Sequence, residues 1–170
     1  MTEAAQRETF LRLIAEYQGA LARLASAYLT DPADRDDLVQ EIATAIWQAI
    51  PRFRGDSSER TWIYRIAHNT AITTAGRVRR RSRREAVLDD TASASAWRCA
   101  TGIDEQLAHE QHRRLLLEHI RALPEADRQV IVMHLEGLSH GEIGEVTGAT
   151  PGAIATRLSR IRERLAHELR

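Results

Sequence analysis

The sequence predicts an all-α protein of two small helical domains joined by a flexible linker, and three observations predict it. Apolar residues recur at three- and four-residue spacing along most of the chain, the period of helices with one buried face. Pro32, Pro124, Gly137, Gly148 and Pro151 fall where those periodic stretches stop or restart. Between them, Asp89–Ala96 is small, polar and aperiodic, the composition of a linker. A chain of 170 residues has room for one domain or two small ones.

The first periodic stretch holds Phe10, Leu13, Ile14, Tyr17, Leu21, Leu24, Ala25 and Tyr28, which predicts one long helix from about Glu3 to Tyr28. Thr30-Asp31-Pro32 ends it and starts the next, with Asp31 as N-cap and Pro32 at the first helical position. This second helix runs to about Ile50. Leu38, Ile42, Ala45, Ile46 and Ala49 line its inner face, and Asp37, Gln40, Glu41 and Thr44 form a polar outer one. Asp34, Asp36 and Asp37 surround the helix start rather than converging, so they suit the helix dipole and a docking partner better than a metal.

A turn at Arg54–Ser58 leads into a third helix, for which Asp56 or Ser57 is the expected cap. Trp62, Ile63, Ile66, Thr70 and Thr73 form its expected buried stripe. Tyr64 and His68 then fall on the opposite face, with Arg65 at its edge and an arginine run (Arg77, Arg79, Arg80 and beyond) after it. An aromatic, hydrogen-bonding groups and a basic tail suit single-stranded nucleic acid, which needs stacking area for bases and positive charge for phosphates.

Past the linker, Leu107, Leu115, Leu116, Leu117 and Ile120 predict a helix ending before Pro124, and Val130, Ile131 and Met133 another stopped at Gly137. Ser139-His140-Gly141-Glu142 has the form of a capping box. Ile143 and Val146 face inward, Gly148 turns the chain, and Thr150-Pro151 restarts it. Ile154, Leu158, Ile161 and Leu165 then give a seam to the C-terminus. Two helices joined by a tight glycine turn make a helix-turn-helix, with Gly144 suited to their close crossing. Thr156, Arg157, Ser159 and Arg160 lie on the exposed side of its second helix, the side that meets a major groove.

Net charge is zero, and aromatics are only 5% of the chain, so the cores must be built from Leu, Ile, Val and Ala. All 24 basic residues are Arg. Neutrality conceals strong polarity: Arg52–Arg84 carries +8, Asp31–Glu41 carries −4 and Asp104–Glu145 carries −5. The lone Cys99 excludes an internal disulfide and suits a reducing compartment; with no thiol partner it is not expected to act as a redox switch. There is no signal-peptide pattern and no apolar run of membrane length, so a cytoplasmic protein without membrane insertion is expected.

Two blocks resemble the extracytoplasmic-function (ECF) group of bacterial RNA polymerase sigma factors. Asp37-Leu38-Val39-Gln40-Glu41, Phe53-Arg54-Gly55 and Arg60–Asn69 resemble region 2 of that family. Leu123-Pro124 through Arg128, Gly137-Leu138-Ser139 and the helix-turn-helix ending Arg157–Arg162 resemble region 4. The resemblance implies region 2 over residues 1–87, a linker over 88–103 and region 4 over 104–170. It implies docking of Asp37, Gln40, Glu41 and Thr44 on the β′ clamp helices of core RNA polymerase. Capture of the melted minus-ten strand would fall to Arg54, Ser57, Ser58, Arg60, Tyr64, Arg65, His68, Asn69, Arg77, Arg79 and Arg80. Region 4 would read the minus-thirty-five duplex with Thr150, Thr156, Arg157, Ser159 and Arg160 and touch the β flap. Promoter DNA and an anti-sigma factor complete the implied partners, with no cofactor, no metal and no catalytic residue; the free protein is expected to be a monomer. Ala155 stands where many members carry Lys, and Gly152 and Ala153 offer little side chain to a base.

Two other readings are weaker. A helix-turn-helix regulator acting without polymerase leaves the Asp37–Asn69 block without a role. A metal-dependent helical enzyme built on the Asp34–Glu41 acids lacks residues to complete a metal shell or a pocket. The opposite charges on either side of the linker further predict that the two halves close on one another over the DNA-binding faces.

Overall fold

A computed structural model describes residues 2–88 and 105–168. The residues from 89 to 103, read as a linker from their composition, lie outside the described residues, and Cys99 with them. Among the described residues there are seven α-helices, one short 3₁₀ turn and no strand. The helices are α1 (Glu3–Tyr28), α2 (Pro32–Ala49), α3 (Glu59–Leu88), α4 (Glu105–Ala122), α5 (Glu125–Leu135), α6 (His140–Thr147) and α7 (Pro151–Glu168). The 3₁₀ turn, Ile50–Arg52, follows α2.

Local chemistry sets most of these boundaries. Asp31 Oδ1 accepts from the Ala33 and Asp34 amides at 2.8 and 3.2 Å, with Pro32 at the first position of α2. Ser58, not Asp56 or Ser57, caps α3: its Oγ accepts from the Thr61 amide at 3.1 Å. At α6 the capping box is complete, Ser139 Oγ accepting from Glu142 N at 3.2 Å while Ser139 N donates to Glu142 Oε2 at 2.7 Å. Hydrogen bonds from the Ser139 amide and hydroxyl hold the Glu142 carboxyl below its ordinary range.

α1, α2 and α3 form the first bundle, closed over Leu13, Leu21, Leu24, Leu38, Ile42, Ile46 and Ile63, all fully buried. The second half buries Ile120, Leu123, Val130, Met133, Ile143, Ile154, Leu158 and Ile161. The halves are packed together. α3 rests against α5 and α6, and α1 against α4 and α5.

Candidate nucleic-acid interface

The loop before α3 is presented by packing behind it. Gly55 takes φ +78°, the left-handed backbone that reverses the chain there. Phe53 and Trp62 stack with ring centroids 4.7 Å apart, anchoring the two ends of the turn. Arg54, Gly55, Asp56 and Ser58 stand exposed, and Ser57 partly so. Farther along α3, Asn69, Arg77, Arg79 and Arg80 are also exposed.

The burial of α3 differs from the expected stripe. Thr61, Ile63, Tyr64, Ala67, His68, Ala71, Thr74 and Ala75 are buried; Trp62, Ile66 and Thr70 are only partly so, and Thr73 is exposed. Tyr64 and His68 therefore do not lie on an open face. His68 is 0% exposed, with Nδ1 3.0 Å from the Tyr28 hydroxyl, and burial drives its pKa down to about 3, so the ring is neutral. It is a core histidine here, not a strand contact. Tyr64 stacks edge-on against Tyr17, and its hydroxyl lies 3.4 Å from Glu136 Oε2; burial and that carboxylate raise its pKa.

Glu136, just beyond α5, gathers several residues of the first half. Arg23 donates to both its carboxylate oxygens at 2.7 Å, and Arg60 donates to its main-chain carbonyl. Arg65 donates to the Glu145 carbonyl at 3.0 Å. Three residues read as strand contacts, Arg60, Tyr64 and Arg65, are thus engaged by the second half of the chain. Arg121 adds a tie from the other side, donating twice to the Ser26 carbonyl at 2.9 and 2.7 Å. Nothing local in the sequence marks Arg23, Glu136 or Arg121: Arg23 lies outside the Arg52–Arg84 segment, and Arg121 is a cation within the acidic one.

On α2, Asp37, Gln40 and Thr44 are exposed as the sequence suggests. Glu41 is occupied. Its carboxylate accepts from Thr74 Oγ1 at 2.6 Å and from Arg77, which hold its pKa below the ordinary value. Asp34 likewise pairs with Arg81 at 2.8 Å, so these acids brace α2 against α3.

In the helix-turn-helix, Gly148 turns the chain at φ +75°, and a side chain at Gly144 would come within 2.6 Å of the Ala149 carbonyl oxygen. The glycine at 144 is what lets α6 lie against the turn. Thr150 Oγ1 accepts from the Ala153 amide at 3.2 Å and so caps α7. Thr156, Arg157, Ser159 and Arg160 all face solvent. Arg157 leans toward Asp127, 3.6 Å away, whereas Arg160 forms no ion pair among the described residues.

Two family models match in the order of these halves: Sigma-70 region 2 over residues 13–84 and Sigma-70, region 4 over residues 113–165. The chain is 32% identical over 168 residues to the ECF RNA polymerase sigma-E factor of Escherichia coli (strain K12), covering 96% of this chain and 87% of that one. The chain belongs to the ECF sigma factors. The sigma-E factor of Haemophilus influenzae is 30% identical, with 96% of this sigma factor and 88% of the relative covered. Two solved structures share the fold of this sigma factor. CnrH in complex with the cytosolic domain of CnrY superposes with a TM-score of 0.69 at 24% identity, covering 96% of this chain and 88% of that one. The RpoE sigma factor in complex with the anti-sigma factor NepR from Bartonella quintana gives 0.67 at 23% identity, covering 95% and 97%. No described helix of the sigma factor is long and apolar enough to cross a membrane.

Proposed function

We propose that this ECF sigma factor binds core RNA polymerase in the cytoplasm and directs promoter-specific initiation, with region 2 over residues 1–87, a linker over 88–103 and region 4 over 104–170. It performs no catalysis of its own. The exposed turn Arg54–Ser58, held at the start of the arginine-rich α3, is the observation that carries this reading. A single strand needs hydrogen-bonding groups within reach of its bases and nearby cations for its phosphates. Arg60, Tyr64, Arg65, Asn69, Arg77, Arg79 and Arg80 continue the path of the melted minus-ten strand. Asp37, Gln40 and Thr44 dock on the β′ clamp helices, with Glu41 fixing the angle of α2 to α3 beneath them. Thr150, Thr156, Arg157, Ser159 and Arg160 meet the minus-thirty-five duplex, and region 4 touches the β flap.

The closed packing adds a condition. Arg60, Tyr64 and Arg65 reach the strand only after Glu136 and Glu145 have withdrawn, so docking on polymerase must part the two regions. An anti-sigma factor restrains the protein by opposing that separation. The free sigma factor is a monomer. Core polymerase pull-down followed by run-off transcription tests the reading. Retention by core and a discrete promoter-dependent transcript are expected; tight duplex binding with neither would instead indicate a regulator that works without polymerase.

A further inference from the structure

Behind the contact between the two regions lies a cleft of about 460 Å³ that shares only Arg79 with the strand path. It is lined by Arg79 and Arg83 of α3, by Arg121 and Arg128 of the second half, and by Tyr28, with Asp31 and Asp34 among its remaining residues. The acids are committed elsewhere. Asp31 caps α2, and Asp34 pairs with Arg81.

The arginines are not balanced in the same way. Arg79 and Arg83 are exposed and form no ion pair among the described residues. Arg121 spends Nε and Nη2 on the Ser26 carbonyl. Arg128, only 8% exposed, donates Nη2 to the carbonyls of Arg121 and Leu123, lies over the Tyr28 ring at 5.4 Å, and keeps a buried Nε with no partner. A carbonyl satisfies a hydrogen bond but brings no counter-charge. Burial lowers the pKa of both, and neighbouring cations add to it, Arg35 and Arg128 acting on Arg121 and Arg79 on Arg128. Tyr28 and then Glu125 oppose this at Arg128 and Glu118 at Arg121, but neither carboxylate pairs with these groups.

We propose that this arginine-lined cleft binds a small anion carrying two or more phosphoryl groups, bridging Arg79 and Arg83 of region 2 to Arg121 and Arg128 of region 4. The guanidinium fork matches pairs of phosphate oxygens, and two phosphoryl groups are needed to engage both walls. The volume lies within the roughly 300–1,000 Å³ typical of small-ligand sites. An occupant that touches both regions binds the closed form alone and so stabilises it by mass action.

Calorimetry and thermal unfolding of the full chain with sodium tripolyphosphate, against sulfate at matched ionic strength, test this without polymerase or promoter. Saturable binding with a rise in Tm is expected for tripolyphosphate and not for sulfate. The Arg79→Gln/Arg83→Gln variant should melt as the parent without ligand and bind about tenfold more weakly or worse. Arg54→Gln, outside the cleft, should bind as the parent does. A nucleoside triphosphate arm identifies the source: equal affinity assigns the phosphoryl chain alone, tighter binding assigns a nucleotide, and both uphold the site. No saturable response beyond sulfate, an undiminished response in the double variant, or binding confined to a single-stranded oligonucleotide would overturn it.

Discussion

Arg23 and Glu136 stand 113 positions apart in sequence and meet through two hydrogen bonds of 2.7 Å. The pair is asymmetric: the Arg23 side chain is 63% exposed and the Glu136 side chain 10%. The carboxylate is therefore the member that closure takes out of water, and the Arg23 pair offsets that desolvation.

Glu136→Ala should loosen the closed form. The Arg23 pair and the Tyr64 contact are lost, while the Arg60 bond to the main-chain carbonyl remains possible. Half-exposed pairs of this kind contribute about 1 kcal/mol or less, so a shift of up to roughly fivefold toward the open form is expected. Small-angle scattering would report a larger radius of gyration than the parent, with less dependence on salt. An unchanged radius in both respects would show that other contacts hold the regions together.

His68 should make stability fall on the acid side of neutrality. Its folded pKa is lowered to about 3, below the unfolded value near 6.5, so the unfolded chain takes up a proton first as pH drops. Stability is full above pH about 6.5 and declines from there toward pH about 3, by about 2 kcal/mol between pH 7.5 and 5. His134 is also lowered and shares the sign, so the comparison must be with His68→Gln. Urea melts should show a shallower acid slope in that variant; equal slopes would place the buried titration elsewhere.

Gly144 and Gly141 sit three residues apart in α6 and should respond oppositely to alanine. At Gly144 the new carbon would meet the Ala149 carbonyl oxygen at 2.6 Å, a backbone atom that cannot swing aside. About 1–3 kcal/mol of destabilisation is expected, with loss of duplex binding by region 4. At Gly141 the nearest atom beyond its chain neighbours is Ser139 Oγ at 3.8 Å, so alanine fits and should stabilise α6 by about 0.5–1 kcal/mol. Thermal unfolding of the two variants decides this.

Arg160 should read a base and Arg157 should hold the backbone. Asp127 draws Arg157 toward α5, while Arg160 extends from α7 unpaired among the described residues. Arg160→Ala should then cost about 1–3 kcal/mol on the preferred minus-thirty-five sequence and blur the ranking of variant sequences. Arg157→Ala should weaken all sequences alike and flatten the salt dependence. Competition binding across a set of minus-thirty-five duplexes distinguishes the two, and an intact ranking after both substitutions would mean region 4 reads shape.

The features legible in the sequence alone are those settled within a few residues. Asp31-Pro32 starts α2, Ser139 and Glu142 close a capping box, and Thr150-Pro151 starts α7, because each cap bonds an amide two or three residues on. The exposed arginines of α7 follow from the same helical period, since only one face of that helix is covered. α3 was beyond such reasoning. Helices of the first bundle cover one side of it and α5 and α6 another, so its apolar spacing marks no single open face, and Tyr64 and His68 turn inward. His68 is set by Tyr28, forty residues away, and Tyr64 by Glu136, seventy-two away. Which surfaces meet is decided by the summed fit and charge of whole helices, and no local pattern records that sum.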